Sequence, residues 1–217
     1  MGFGLLFVAL LVAGWFPLPA AHHTSAYIGS YYRDHHDGIR LASVLLTAGA
    51  ALLAPLAALL AVHLRRIEGE FSPLAYLELG MGSASTLAVS ITSLFWWTAA
   101  LLPARDAVVT QSWNDAGWLC FTAVIFIFNV QLLAIALAIF TDKRERPLFP
   151  RWLGYLTVWT TVTLLPSLLC LWFKSGPFAW NGVASLYLAF VTIGVWFVAL
   201  IVNLLRVIRE QAAEFAH

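Results

Sequence analysis

Between Trp113 and Trp152 the chain reads W-N-D-A-G-W, then a long apolar run over 117–141, then D-K-R-E-R-P-L-F-P-R-W. Few folds accept that order. About 20 consecutive apolar residues suffice to cross a hydrocarbon core as a helix, and this run exceeds that length. Trp113 and Trp118 suit one membrane interface, and Lys143, Arg144, Arg146 and Arg151 mark the other end as cytoplasmic. Near the middle sit Asn129 and Gln131, two amides that hydrocarbon cannot satisfy. At 100° per residue they point about 160° apart, so they do not both line one small pocket.

The rest of the chain agrees with a bilayer as solvent. Of 217 residues 61% are hydrophobic and 11% charged, against about 25% charged in a soluble domain. The net charge of +1 gives no electrostatic reason for a nucleic-acid partner. Cys120 and Cys170 lie in separate apolar runs with no C-x-x-C pair, which argues against a metal ribbon or a redox dithiol.

Hydropathy divides the chain into six spans at about 2–20, 39–64, 74–102, 117–141, 152–173 and 183–207. The first run has no basic start and a poor cleavage site, P-L-P-A-A, so it reads as a retained helix ending at Pro17 and Pro19. Tyr27, Ile28, Tyr31 and Tyr32 recur at helical spacing behind Thr24 and Ser25, which predicts a short interfacial helix between the first two spans. Pro55 predicts a kink in the second span. Gly82, Thr86, Ser90 and Ser93 give the third a small-residue seam for close helix approach. No charged residue is expected deep within a span. The fold class is therefore an all-α membrane protein, a single domain over 1–217 with six transmembrane helices and one interfacial helix. Eight basic residues fall on one side (Arg65, Arg66, Lys143, Arg144, Arg146, Arg151, Arg206, Arg209) and four on the other (Arg33, Arg40, Arg105, Lys174). The positive-inside rule then places both termini in the cytoplasm.

Three groups of residues invite a chemical reading. His22, His23, Asp34, His35, His36 and Asp37 are the right ligand types for a transition metal, but adjacent H-H pairs do not converge on one ion and no H-x-x-x-H is present. A solvated loop is the expectation, with no metal, no cofactor and no catalytic residue assigned. Asp37-Gly38, Trp113-Asn114-Asp115 and Trp180-Asn181-Gly182 stand at the outer starts of the even spans, where Asp or Asn caps a helix. If those ends converge, Asn114, Asp115, Trp180 and Asn181 form an aromatic-walled outer mouth. Asn129 is the candidate ligand anchor, with Thr122 two turns away on the same face. The motifs H-E-x-x-H, G-x-S-x-G, the Walker loop and the dinucleotide fingerprint are all missing.

The pieces S-A-Y-I-G-S-Y-Y-R-D-H-H-D-G-I-R, R-R-I-E-G, D-K-R-E-R-P-L-F-P-R-W-L-G-Y and F-K-S-G-P-F-A-W-N-G resemble an uncharacterised family of small bacterial six-helix integral membrane proteins with no established activity. The resemblance implies an all-helical protein of the bacterial inner membrane and assigns no site residues. The functional expectation is binding or passage of a small, mostly apolar molecule through an aromatic-rich bundle. The alternatives are an accessory or scaffold subunit, packed against a membrane partner or a second copy, and a membrane enzyme using the outer His/Asp set.

Overall fold

The computed structural model describes residues 2–15, 17–102 and 104–215, the side chains of Phe3, Glu214 and Phe215 excepted. The parts of the first run and of the polar tail that fall on Phe16, Ala216 and His217 lie outside it. Seven α-helices carry the fold: α1 (Gly2–Val12), α2 (Ser25–Ala51), α3 (Ala54–Glu68), α4 (Pro73–Ala100), α5 (Ala107–Thr141), α6 (Arg151–Leu164) and α7 (Leu188–Phe215). Among the described residues, five helical stretches are long and apolar enough to cross a membrane: Ser25–Glu68, Pro73–Ala100, Ala107–Thr141, Arg151–Leu171 and Val183–Ala213.

The first run is not among them, which departs from the six-span expectation. α1 has 11 residues, about 16 Å of rise, roughly half a hydrocarbon core. It ends in a turn at Gly14, whose φ of 70° suits glycine, before the prolines are reached. It runs antiparallel to α2, with Gly2 beside Gly49 and the Val12 carbonyl against Gly38.

The separate interfacial helix is also replaced. Thr24 caps α2 by accepting from the Tyr27 N–H, and the helix then continues unbroken to Ala51. Tyrosines and second span share one rod because nothing between Tyr32 and Ile39 breaks a helix. The break comes at Leu52-Leu53, just before Pro55, which has no N–H to continue the ladder. Together α2 and α3 cover 44 residues, about 66 Å, twice a hydrocarbon core. α5, at 35 residues, is also overlong. Their N-terminal ends pack together, Gly29 against Ala107 and the Tyr32 hydroxyl on Asn114.

The expected caps move for the same reason. α5 starts at Ala107, and Asp106 accepts from the Val108 and Val109 N–H groups. Asn114 and Asp115 therefore lie two turns inside the helix, and Asp37-Gly38 lies in the middle of α2. α4 is capped across the loop: the Glu68 carboxylate accepts from Leu74 N–H at 3.0 Å and Ala75 N–H at 2.8 Å. At its other end Arg40 donates to the Ala100 and Leu101 carbonyls. After Leu164 the sixth helix tightens into a 3-10 segment, Leu165–Leu171, that begins with Pro166.

α4 and α5 form the most extensive pair, flanked by α2 and α3 on one side and α6 and α7 on the other. α7 shows why water is the wrong solvent for this bundle. Val191, Val195, Val198 and Val202 form an exposed stripe, while Trp196, Leu200, Leu204 and Val207 on another face are buried. A helix apolar on both faces belongs in protein or lipid all round.

The buried apolar residues fall into two clusters. The outer one gathers Trp15, Trp96, Trp118 and Trp180 with Tyr32, Ile39, Leu46 and Cys170. The inner one gathers Leu60, Leu64, Leu132, Ile135, Ile139, Leu153, Trp196 and Leu200.

Candidate functional site

Between the two clusters lies a cavity of ≈ 190 Å³ whose wall includes Leu10, Leu46, Trp96, Trp118 and Trp180 from the outer cluster and Leu60, Trp196, Phe197 and Leu200 from the inner. It exists because the two layers are built differently. The outer is a stack of indoles, with Trp15–Trp96 centroids 4.6 Å apart, Trp96–Trp118 4.8 Å and Trp118–Trp180 6.3 Å. The inner is mainly branched aliphatic side chains on α3, α5, α6 and α7. Flat rings and branched chains do not interdigitate as either does with itself. Glu78 and Trp96 both line the wall and stand eighteen residues apart on α4, about 27 Å of rise. The cavity is therefore elongated along that helix. Among its lining residues only Phe7 on α1 is exposed, at 46%, so the cavity edge reaches the bundle surface there.

Most polar groups on the wall are already satisfied. The Thr122 hydroxyl donates to the Trp118 carbonyl and touches Cys170 Sγ at 3.4 Å. Thr86 bonds back to Gly82, Ser167 to the Ser185 carbonyl, and Ser185 to the Phe178 carbonyl. The one charged group among the exceptions is at the inner end. Glu78 is fully buried; its Oε1 accepts from Gln131 Nε2 at 2.9 Å, and its Oε2 has no partner. Of nine buried side-chain polar atoms without a partner among the described residues, four belong to this wall: Glu78 Oε2, Ser85 Oγ, Trp96 Nε1 and Trp118 Nε1. Unsatisfied groups of this kind are rare in native interiors and call for a reason.

The residues singled out from the sequence separate into four places. Thr122 and Trp180 line the cavity, and the Trp180 indole also donates to the Pro19 carbonyl at 2.9 Å. Asn114 is buried in a chain of bonds at the outer end: Tyr32 Oη donates to Asn114 Oδ1, and Asn114 Nδ2 donates to Asp115 Oδ1, both at 3.0 Å. Asn181 is half-buried in the turn before α7. Asn129 is buried with Oδ1 unpaired, but the cavity wall takes Gln131 instead. The two amides do face apart, and Gln131 faces the cavity.

Glu78 is the residue that sequence reasoning missed, contrary to the expectation that no charge is buried in a span. Five residues past Pro73, it reads as an interfacial charge free to snorkel. One signal was present: it is the sole charged residue between Pro73 and Ala100, and it shares a face with Gly82 and Ser85. At Gly82 an added Cβ would lie 2.6 Å from Ala57 Cβ and 3.0 Å from Gln131 Nε2. The small residue thus lets α3 and the Gln131 amide close in beside the carboxyl.

The outer histidines do not converge. His35 and His36 rings bond to carbonyls of their own helix, Tyr31 and Arg33. His22 contacts the Lys174 carbonyl, and His23 accepts from the Ala20 N–H. Among the described residues no three His, Cys, Asp or Glu side chains are grouped to hold a metal ion.

An all-helical bundle with five membrane-length apolar helices, enclosing an apolar cavity between two cores, is what fold and site together define. No family model matches the chain, and neither a curated protein nor a solved structure is detectably similar to it.

Proposed function

We propose that the chain is a multi-pass protein of a bacterial inner membrane that binds, or passes, a small and mostly apolar molecule in the cavity between its two clusters. The observation that carries this reading is an elongated apolar space whose few polar groups include a buried carboxyl with an open oxygen. Apolar walls with sparse polar anchors are the usual character of small-molecule sites. The scaffold alternative gains nothing, because the small-residue seam is used within the chain. Gly82 meets Ala57, and Ser93 Oγ lies 2.7 Å from Thr47 Oγ1. The basic ends of α3, α5 and α7 face the cytoplasm in this reading. The N-terminus shares that side only if the first run crosses, and α1 lies beside α2 only from Gly38 to about Leu52. Purified protein in nanodiscs should bind 1-hexanol saturably above protein-free discs, and Ser85→Phe, which puts a ring into the space, should abolish that binding. Absence of saturable binding in the parent protein would end the reading.

A further inference from the structure

We propose that the cavity selects a monovalent organic cation with an apolar tail, its cationic head held at Glu78. This deepens, and rests on, the apolar-cavity reading. The carboxyl is fully buried, and none of the ion pairs among the described residues involves it. Gln131 satisfies one oxygen. The other is short of a partner in either protonation state: as a carboxylate it lacks a donor, and as an acid it lacks an acceptor. A water at that oxygen would need two or more polar partners, and one of the two Gln131 amide N–H groups is already turned to Oε1.

A cationic head supplies the missing charge at the one point of the wall that carries a carboxyl. The tail has the elongated apolar space, and aromatic faces such as Phe128, Trp196 and Phe197 stand on the same wall, where a cation gains from ring quadrupoles. An anion meets the opposite situation, since its only charged neighbour is the carboxyl. The two unpaired indole N–H groups on this wall belong to Trp96, eighteen residues from Glu78 along α4, and to Trp118 of α5, which packs against it, so they do not offset that repulsion. A neutral molecule fills the space but leaves Glu78 Oε2 unpaired unless it carries a donor.

Three six-carbon probes differing at the head separate these cases: hexylammonium, whose head carries both charge and N–H donors, 1-hexanol and hexanoate, titrated calorimetrically into the full chain in nanodiscs against protein-free discs. The expected order is cation, then alcohol, then anion, with the cation at least about tenfold tighter than the alcohol, a difference of one decade in Kd. Glu78→Gln should erase that advantage, bringing the cation to no tighter than the alcohol on the same variant, since the isosteric amide keeps the space and removes the charge. If Glu78→Gln does not fold, the order on the parent protein still decides. Equal binding of cation and alcohol, or preference for the anion, overturns the charge selection and leaves the apolar site standing. Binding of none of the three overturns both.

Discussion

The outer and inner halves of this bundle solve the same packing problem with different materials. The outer half stacks four tryptophans from α5, α4 and the connecting segments, and brings backbone close beneath them by using glycine. A Cβ at Gly117 would fall on the Trp96 indole, and one at Gly38 on the Val12 carbonyl. The inner half layers leucine and isoleucine from α3, α5, α6 and α7, and its end is pinned by charge in the loop after α5. Asp142, buried at 3% exposure, accepts from Arg144 Nε and Nη2 at 2.8 and 2.7 Å and from the Leu148 N–H at 3.0 Å. Lipid tails are as apolar as leucine, so in a bilayer the two halves are held by fit and by polar links, with little transfer energy between helix and lipid. The half built from large rigid rings then has more to lose from a truncation.

The largest expected effect follows directly. Trp118, 2% exposed, touches Trp15, Trp96, Phe121 and Trp180. Its replacement by alanine should cost about 3–5 kcal/mol. Ile135→Ala in the inner layer should cost less, because only the cavity term survives when lipid is the alternative solvent. Unfolding both variants in mixed micelles measures the difference, and equal costs would remove the distinction between the halves.

Next in size is the inner pin. Burial alone would raise the Asp142 carboxyl, but the Arg144 side chain, the Leu148 and Arg144 backbone N–H groups and the Arg144 charge together hold it below the ordinary carboxylate range. A depressed folded value means a stability contribution that is complete above the unfolded value near 3.9 and is lost as pH falls through the folded one. Asp142→Asn should therefore lose about 1.5–3 kcal/mol at neutral pH. The gap between variant and parent should narrow as pH is lowered below about 4. A gap independent of pH would mean that shape, not charge, pins this end.

The sequence carried five of the apolar spans, the break near Pro55 and the burial of both Asn129 and Gln131. It carried less of where each helix begins. Hydropathy marks where lipid is tolerated, whereas helix ends depend on caps, and Asp106 and the remote Glu68 carboxylate set two of those ends from outside the apolar runs. The partial course of α1 was hidden because a short apolar helix and a spanning one share the same composition. Trp118 read as an interfacial anchor, since tryptophan is common there, yet α5 extends eleven residues beyond it toward its N-terminus and Trp118 is buried. Glu78 looked peripheral for the converse reason: a long α4 and the reach of Gln131 enclose a residue that counting places near the edge.

A third test returns to the outer half and adds volume instead of removing it. Gly117→Ala should cost about 1–3 kcal/mol through overpacking, because the added Cβ would fall on the buried Trp96 indole. Gly154, where the nearest atoms belong to the half-buried Phe140 ring, should accept alanine at lower cost. If Gly154→Ala proves the more damaging, the aromatic half is the looser of the two.

The smallest expected effect is Tyr32→Phe, and it tests whether polar bonds add to the aromatic packing. Phenylalanine keeps the ring, which is 2% exposed, and removes only the hydroxyl that donates to Asn114 Oδ1. Interhelical hydrogen bonds in bilayer proteins average about 0.6 kcal/mol, since the disrupted state also finds partners. Leaving a buried acceptor bare in a site with no alternative costs more, about 1–3 kcal/mol. Here Asn114 is held in place through its amide on Asp115, and Asp115 is half-buried, so solvent reaches the end of this chain of bonds and relaxation is available. The cost should fall near the lower figure and below that of Gly117→Ala. Should Tyr32→Phe exceed Gly117→Ala in the same micelle titration, the outer half is held by its polar link and the indoles merely fill space around it.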